Sequence, residues 1–337
     1  MLLTNNNKPH FRKDPVSGTW VIVSAERGDR PSAWINEREE DGINKCPFCP
    51  GNEKQTPPEV YSLRRNESMP NSPGWSIRVV PNKFPALKNF GPIEYSDTNL
   101  FESFSGEGFH EVIIETPYHD KRLVDLEIEN IRKIFQVYKE RIVNLKKSKQ
   151  VQYVLVFKNQ GKSAGASIPH AHSQVIATPI LPKQIEDEVS GMENYFEETK
   201  RCVLCDMMKE EFKNSSRLVT SNNDFCVLEP FASRFPFETW IVPLKHQPFF
   251  EDIKEDEIFN LSRIFTATLK KIDKILSKPA YNFVIHTSPL RLKRKATFHW
   301  HIELIPKVTH VAGFERGAGF FINPVLPEKA AAMLKED

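Results

Sequence analysis

Two pairs of cysteines are the first residues of this 337-residue chain whose type and spacing could do chemistry. Cys46 and Cys49 form one C-x-x-C pair, Cys202 and Cys205 form another, and Cys226 stands alone. Thiolates at this spacing bind a metal such as zinc or act as a redox couple. A redox pair usually opens a helix, and the proline and glycine that follow Cys49 oppose a helix there. The pattern therefore favours a metal site at each pair.

Two H-x-H motifs supply nitrogen ligands and a candidate nucleophile. They are His170-Ala171-His172 and His299-Trp300-His301, and a single histidine, His119 or His246, precedes each of them. Residues two apart in a strand share one face, so both imidazoles of each motif should point into one site.

A closed zinc site needs about four ligands, which the two thiolates, the single histidine and the first histidine of H-x-H would supply. The expected ligands are Cys46, Cys49, His119 and His170 in the first half, and Cys202, Cys205, His246 and His299 in the second. This assignment leaves His172 and His301 unligated. Two alternatives stay open: both histidines of each H-x-H bind the metal, or some of these histidines are ordinary core residues.

The same order of features occurs twice along the chain. The single histidine precedes its H-x-H motif by 51 residues in the first half and 53 in the second. Apolar residues at helical spacing over 126–145 and 258–276 predict one amphipathic helix in each half, each followed by a strand. We therefore predict an internal duplication, with an insertion near 86–109, and an α+β fold of antiparallel sheets with packed helices, stabilised by zinc.

Composition excludes several classes of partner. Lys and Arg number 46 against 44 Asp and Glu, a formal charge of +2, so we expect no nucleic-acid partner. No run approaches the ~18 apolar residues of a membrane span, so we expect no membrane partner. The N-terminus turns polar after three residues and lacks the pattern of a secretory signal, which predicts a cytoplasmic location.

The loop before the first H-x-H has the composition of a phosphate site. Small residues over 161–167 let a backbone approach a ligand closely, and Asn159 and Ser167 can donate to phosphate oxygens. The neutral imidazole of His172 is a nucleophile near pH 7, and Gln174 shares its face and can donate to a phosphoryl oxygen. The composition of the loop alone is equally typical of a flexible turn, and the nearby His172 and Gln174 favour the phosphate site.

These motifs together resemble the galactose-1-phosphate uridylyltransferase family, a double-domain branch of the histidine-triad superfamily. The resemblance covers nearly the whole chain, and its motifs are Asp14-Pro15-x-x-Gly18-x-Trp20, Arg27-x-x-Arg30-Pro31, Cys46-Pro47-Phe48-Cys49-Pro50-Gly51, Pro81-Asn82-Lys83-Phe84 and His170-x-His172-x-Gln174. It implies two histidine-triad-like domains, a catalytic domain over 1–190 and a second over 191–337, each with a zinc site. Iron in place of zinc at one site stays open.

The resemblance also implies site residues and a reaction. His172 would attack the α-phosphorus of a nucleoside-diphosphate sugar and form a covalent nucleotidyl-histidine, with Gln174 beside it, before a phosphate acceptor takes the nucleotide. The substrate contacts would be Arg27, Arg30, Asn82, Asn159 and Ser167. Family members are dimers, so the resemblance implies a homodimer.

Two activities compete within that family. One transfers uridylyl from UDP-glucose to galactose 1-phosphate, and the other, ADP-glucose phosphorylase, transfers adenylyl from ADP-glucose to phosphate. Ser173, the stretch Phe157-Lys158-Asn159-Gln160-Gly161 and the second C-x-x-C look closer to the phosphorylase. We nevertheless expect the uridylyltransferase, as the better-populated activity. A nucleotide-sensing zinc module and a nucleotide hydrolase are the alternatives from other classes.

Overall fold

A computed structural model describes residues 9–29, 46–64, 68–89, 91–97, 100–292, 294 and 297–336. The predicted contact Arg30 lies outside these residues.

Ten antiparallel strands form one continuous sheet, and each half of the chain contributes five of them. The first half provides β3 (Tyr61–Arg64), β4 (Trp75–Pro81), β7 (Phe109–Ile114), β8 (Tyr153–Gln160) and β9 (His172–Thr178). The second half provides β10 (Leu218–Ser221), β11 (Phe225–Leu228), β12 (Thr239–Pro243), β13 (Tyr281–His286) and β14 (His301–Pro306).

The strand order shows the duplication directly. It runs β3-β4-β7-β9-β8 to the centre of the sheet and then β13-β14-β12-β11-β10 to the other edge, so the second half repeats the order of the first in reverse. The halves join where β8 pairs with β13. The predicted α+β fold with a large antiparallel sheet is confirmed. The division at residue 190 falls within a helix, Lys183–Thr199, and stays a prediction.

Two long helices cover one face of the sheet. They are α1 (Ile128–Leu145) and α4 (Glu255–Ile275), which match the helices predicted over 126–145 and 258–276. Their apolar stripes pack on each other and on one face of both halves, where Val154 and Val156 of β8 are buried in the largest core cluster. Side chains alternate along a strand, so Phe157 and Asn159 lie on the opposite face.

The opposite face differs between the halves. In the second half it is covered by α2 (Lys183–Thr199) and α3 (Val203–Asn214), which bury a second apolar cluster. In the first half a smaller cluster forms around Cys46 and Phe48, which pack against Trp75, Val112 and Ile114. On this first-half face Gln174 is half-buried and His172 is buried.

Shorter elements complete the molecule. Segments from the first and last parts of the chain form a three-stranded sheet of β1 (His10–Lys13), β2 (Trp20–Val23) and β15 (Phe321–Asn323). Along the chain, α5 (Gly313–Ala318) precedes β15 and α6 (Pro327–Lys335) follows it. The predicted insertion near 86–109 contains a separate hairpin of β5 (Tyr95–Asp97) and β6 (Glu102–Phe104). Within the described residues, no helix has the length and apolar character needed to span a membrane.

Candidate active site and metal groups

His172 is the first residue of β9, and within the described part of the chain one of its ring nitrogens has no hydrogen-bond partner. Its Nδ1 lies 2.8 Å from the carbonyl oxygen of His170, which can only accept, so Nδ1 carries the proton. No described residue forms a hydrogen bond with Nε2, which keeps its lone pair. Burial of the ring, and next the positive charge of Lys158, lower the pKa of His172 to about 4. The imidazole is therefore neutral near pH 7.

The first C-x-x-C segment packs against this imidazole. The ring of Phe48 lies edge-on to His172 with centroids 5.2 Å apart, and edge-on to His170 at 6.2 Å. Phe48 is itself buried. The residues between the two cysteines thus restrict the orientation of the candidate nucleophile.

Gln174 belongs to a polar cluster built from three strands. Its Oε1 lies 2.7 Å from Nε2 of His110 on β7 and 3.4 Å from Nδ2 of Asn82, which follows β4. The backbone N–H of Asn82 donates to the carbonyl of His110 at 2.8 Å. Burial lowers the pKa of His110, so its ring is neutral near pH 7. The structure therefore brings the predicted residues Asn82 and Gln174 together through a histidine that the sequence analysis did not single out.

A buried ionic network lies beneath the site, on the helix side of the sheet. Nζ of Lys158 donates to Glu115 at 2.6 Å and to the carbonyl oxygen of His172 at 2.9 Å. Glu115 also accepts from the hydroxyl groups of Ser173 and Tyr138. Lys158 and Glu115 are completely or almost completely buried. This network fixes the backbone of β9 at the candidate nucleophile.

The remaining predicted contacts occupy different environments. The β8–β9 register pairs Phe157 with Gln174, and continuing it by two residues sets Asn159 opposite His172. Ser167 is exposed on the loop before β9. Arg27 is exposed in a short 3-10 helix, Ala25–Asp29, and the described residues give its side chain no hydrogen bond or ion pair with the His172 region. The roles of Arg27, Arg30 and Ser167 stay predictions.

The first predicted metal group is assembled in the structure. Nδ1 of His170 lies 3.7 Å from Sγ of Cys46 and 3.6 Å from Sγ of Cys49, and Nδ1 of His119 lies 3.4 Å from Sγ of Cys49. Tetrahedral zinc with ordinary bond lengths sets sulfur and nitrogen about 3.6 Å apart. Nε2 of His170 lies 2.7 Å from the carbonyl oxygen of Thr116, so Nε2 donates and Nδ1 is free to bind a metal. These four residues fit zinc, and His172 is not among them.

The second predicted group has the same geometry. Nδ1 of His299 lies 3.7 Å from Sγ of Cys202 and 3.5 Å from Sγ of Cys205, and Nδ1 of His246 lies 3.7 Å from Sγ of Cys205. Nε2 of His299 lies 3.0 Å from the carbonyl oxygen of Pro243. Both Cys₂His₂ groups thus hold their ligand atoms within 4.8 Å of one another, and their cysteines are free thiols. This geometry favours the assignment in which the second histidine of each H-x-H motif, His172 or His301, is not a ligand of either Cys₂His₂ group.

His301, the counterpart of His172, lies in a closed environment. Its ring stacks between Trp240 and His286, at centroid distances of 4.7 Å and 4.8 Å, and it is fully buried. Nδ1 of His286 lies 2.9 Å from Glu188, and the ligand atoms of Glu188, His286 and His301 lie within 4.8 Å of one another. Burial opposes the charged ring, but the carboxylates of Glu188 and Glu303 outweigh it and raise the pKa of His286 to about 9. His301 is thus enclosed by aromatic rings on both of its faces.

Comparison with known proteins gives matches over nearly the full length. The family model described as galactose-1-phosphate uridyl transferase, N-terminal domain, matches residues 1–182, and a model for a domain of unknown function, DUF4921, matches residues 119–336. The chain is 36% identical to the ADP-glucose phosphorylase of Arabidopsis thaliana, over 98% of this chain and 93% of that protein. It is 30% identical to the galactose-1-phosphate uridylyltransferase of Thermotoga maritima, over 97% of this chain and 98% of that protein.

Solved structures agree with the sequence matches. A crystal structure of the Arabidopsis thaliana ADP-glucose phosphorylase with bound ADP-glucose superposes with a TM-score of 0.83, covering 98% of this chain and 99% of that chain. A uridylyltransferase structure, 26% identical, superposes with a TM-score of 0.76 and covers 98% of both chains. With its sheet order and site geometry, this chain belongs to the galactose-1-phosphate uridylyltransferase family of nucleotidyltransferases.

Proposed function

We propose that this protein transfers a nucleoside monophosphate between two phosphate-bearing partners through a covalent nucleotidyl-His172 intermediate. The observation that carries the proposal is the geometry of one ring: Nδ1 of His172 donates to the carbonyl of His170, and Nε2 has no partner among the described residues. Gln174 lies two residues further along the same strand, so its side chain shares the face of His172. A fixed imidazole with an available lone pair is the arrangement of a nucleophile.

The reaction balances without an added acid or base. In the first step the lone pair of His172 Nε2 forms a bond to the α-phosphorus, and the bond from that phosphorus to the bridging oxygen breaks. The sugar 1-phosphate leaves with the bond electrons as an ionised phosphate, and the ring gains a positive charge that the His170 carbonyl stabilises. In the second step an oxygen of the acceptor phosphate attacks the same phosphorus and releases the neutral ring.

Gln174 suits transfer between phosphates. The leaving and attacking groups are already ionised near neutral pH, so no side chain has to deliver or remove a proton. A glutamine amide can donate to a phosphoryl oxygen but cannot act as an acid. The two Cys₂His₂ groups would each hold zinc, which, with four protein ligands, stabilises the fold and fixes His170 rather than activating water.

The better supported substrate pair is ADP-glucose with orthophosphate. The 36% identity to the Arabidopsis ADP-glucose phosphorylase exceeds the 30% identity to the Thermotoga uridylyltransferase, and the two TM-scores, 0.83 and 0.76, fall in the same order. Lys158 and Ser173, two of the residues that look closer to the phosphorylase in sequence, both bind Glu115 beneath the nucleophile.

The second candidate is the expected UDP-glucose with galactose 1-phosphate. The family model that matches residues 1–182 favours it, as does the similarity to the Thermotoga enzyme along nearly its whole length. A substrate panel separates the two candidates: ADP-glucose with phosphate against UDP-glucose with galactose 1-phosphate, with sugar 1-phosphate release measured for each. Turnover of only the uridine pair would exclude the adenylyl assignment.

The covalent step is tested with a nucleoside-diphosphate glucose labelled at the α-phosphate. We expect acid-labile label on the wild-type chain, released by the acceptor, and none on His172→Asn, whose circular dichroism and zinc content should match wild type. His301→Asn, the same position in the second half, should keep label on its folded fraction because the nucleophile is intact. Reversible binding without label would indicate a sensor, and steady nucleoside monophosphate release without an acceptor would indicate a hydrolase.

The expected homodimer also stays a prediction. Light scattering of the purified protein measures its mass in solution against the single-chain mass of 38.9 kDa.

A further inference from the structure

His110 is held in one tautomer by the segment that follows β4. The backbone N–H of Ala86 donates to Nδ1 of His110 at 3.1 Å, so this nitrogen accepts and the ring proton sits on Nε2. Asn82 anchors the same segment, because its N–H donates to the His110 carbonyl and its Oδ1 accepts from the N–H of Phe84 at 2.9 Å. The ring therefore presents a single donor.

That donor fixes the orientation of the Gln174 amide. Nε2–H of His110 donates to Oε1 of Gln174 at 2.7 Å. Nδ2 of Asn82 lies 3.1 Å from the protonated Nε2, which cannot accept from it, and donates to the same Oε1 at 3.4 Å. A rotated amide would set its NH₂ group against the donors of His110 and Asn82 and leave both of them without this acceptor. The observed orientation directs both N–H bonds of Gln174 away from the cluster, and within the described residues its Nε2 has no hydrogen-bond partner.

We propose that His110 is a positioning residue that makes Gln174 a donor-only group beside the nucleophile. The proposal rests on the proposed function, since it assigns the Gln174 N–H groups to a non-bridging oxygen of the α-phosphate. The negative charge on that phosphate oxygen attracts the N–H groups of Gln174 and repels its amide oxygen. If the amide could rotate freely, a fraction of the molecules would hold Oε1 towards the phosphate, and these molecules would react more slowly. The His110 ring never touches the substrate and acts only through Gln174.

The test is a double-mutant cycle on the single-turnover rate of nucleotidyl-His172 formation. We expect His110→Leu to lower this rate roughly tenfold at saturating substrate. The loss should be smaller than that from removing the Gln174 donor itself, because the amide is still present but no longer held in one orientation. Gln174→Ala should lower it more, and the double variant should lose no more than Gln174→Ala alone. His110→Gln should recover part of the rate, because its terminal amide can donate to Gln174 Oε1.

A matched control is Ile176→Ala. Ile176 lies directly opposite His110 in the β7–β9 register, so this change removes packing at the same place and leaves the hydrogen bonds to Gln174 intact. We expect a wild-type rate.

Three results would overturn the positioning role. They are a His110→Leu rate within twofold of wild type, losses that multiply in the double variant, and an equal loss in Ile176→Ala. A wild-type protein that forms no nucleotidyl-His172 would instead refute the proposed function, and this outcome is read before any variant is compared.

Discussion

The side-chain amide of Asn282 donates a 2.8 Å hydrogen bond to Oδ1 of Asn159, across the line where the two halves of the sheet meet. The same amide donates to the carbonyl oxygen of Ala164 at 2.9 Å, in the loop that leads to β9. Asn282 and Asn159 are direct partners in the β8–β13 register. The second half of the chain therefore holds the candidate phosphate loop of the first half.

We expect Asn282→Ala to weaken substrate binding more than chemistry. It leaves Asn159 Oδ1 and the Ala164 carbonyl without this donor, at a cost of about 1–2 kcal/mol in unfolding free energy. The looser loop should raise the KM for the nucleotide sugar several-fold and leave kcat near wild type. Initial-rate kinetics and urea unfolding measure both effects. Asn194→Ala, which removes an exposed amide on α2, is the control, and an unchanged KM for Asn282→Ala would contradict the role of this bond.

Metal content should follow the two Cys₂His₂ groups. We expect close to two zinc ions per chain in the wild type and close to one in Cys46→Ser, with a lower unfolding temperature, because the free energy of metal binding contributes to folding. Elemental analysis and calorimetry measure the two quantities. Cys226→Ser is the matched control, since Cys226 is a buried free thiol outside both groups, so it should keep both ions. A wild-type content near one zinc ion per chain would show that the second Cys₂His₂ group does not bind metal.

The metal ligands could be predicted from sequence because each set has a fixed local spacing and occurs twice. The C-x-x-C pair and the H-x-H motif are short, and the repeated separations of 51 and 53 residues link each pair to its motif. The helices α1 and α4 could also be predicted from a local pattern, because each buries a long stripe of apolar residues that recur at the spacing of a helix.

The supporting residues depend on pairings between distant strands. His110 and Gln174 are 64 residues apart, and only the β7–β9 register brings them into contact. In the sequence, Lys158 is notable only as part of the stretch Phe157–Gly161 that looks closer to the phosphorylase. Strand alternation turns it to the helix side, while its neighbour Asn159 faces the site. Its partner Glu115 follows β7 and carries no motif. Such contacts have no local signal in a single sequence.

The buried Lys158–Glu115 ion pair predicts that the effects of substituting its two members on stability are coupled. Lys158→Met should cost roughly 3–5 kcal/mol in unfolding free energy, because the Glu115 carboxylate loses its counter-charge in a fully buried position. A second change, Glu115→Gln, should restore part of that loss by removing the uncompensated charge. Urea unfolding of the two single variants and the double variant measures the coupling. Additive losses would show that the two groups do not interact.

Glu328 predicts how stability depends on pH. Its carboxylate binds Nη1 of Arg12 at 3.0 Å and Nη1 of Arg217 at 2.8 Å, and so links α6 to β1 and to the residue that precedes β10. Burial alone would raise the pKa of Glu328, but the two guanidinium groups outweigh it and hold the pKa below its ordinary value of 4.5. The ionised form is therefore favoured by folding. Its contribution is complete above pH 4.5 and is lost as the pH falls through the pKa of the folded state.

We expect Glu328→Gln to lower the unfolding free energy by about 1–3 kcal/mol at pH 7, because the hydrogen bonds from two buried guanidinium groups to Glu328 lose their negatively charged acceptor. The difference from wild type should shrink steadily below pH 4.5, since the wild-type carboxylate then takes up a proton that the variant cannot bind. Urea unfolding at a series of pH values between 7 and 3 measures it. Glu336→Gln, an exposed position at the end of α6, should match wild type throughout. A Glu328→Gln difference of equal size at pH 7 and pH 3 would show that Glu328 acts through packing and not through its charge.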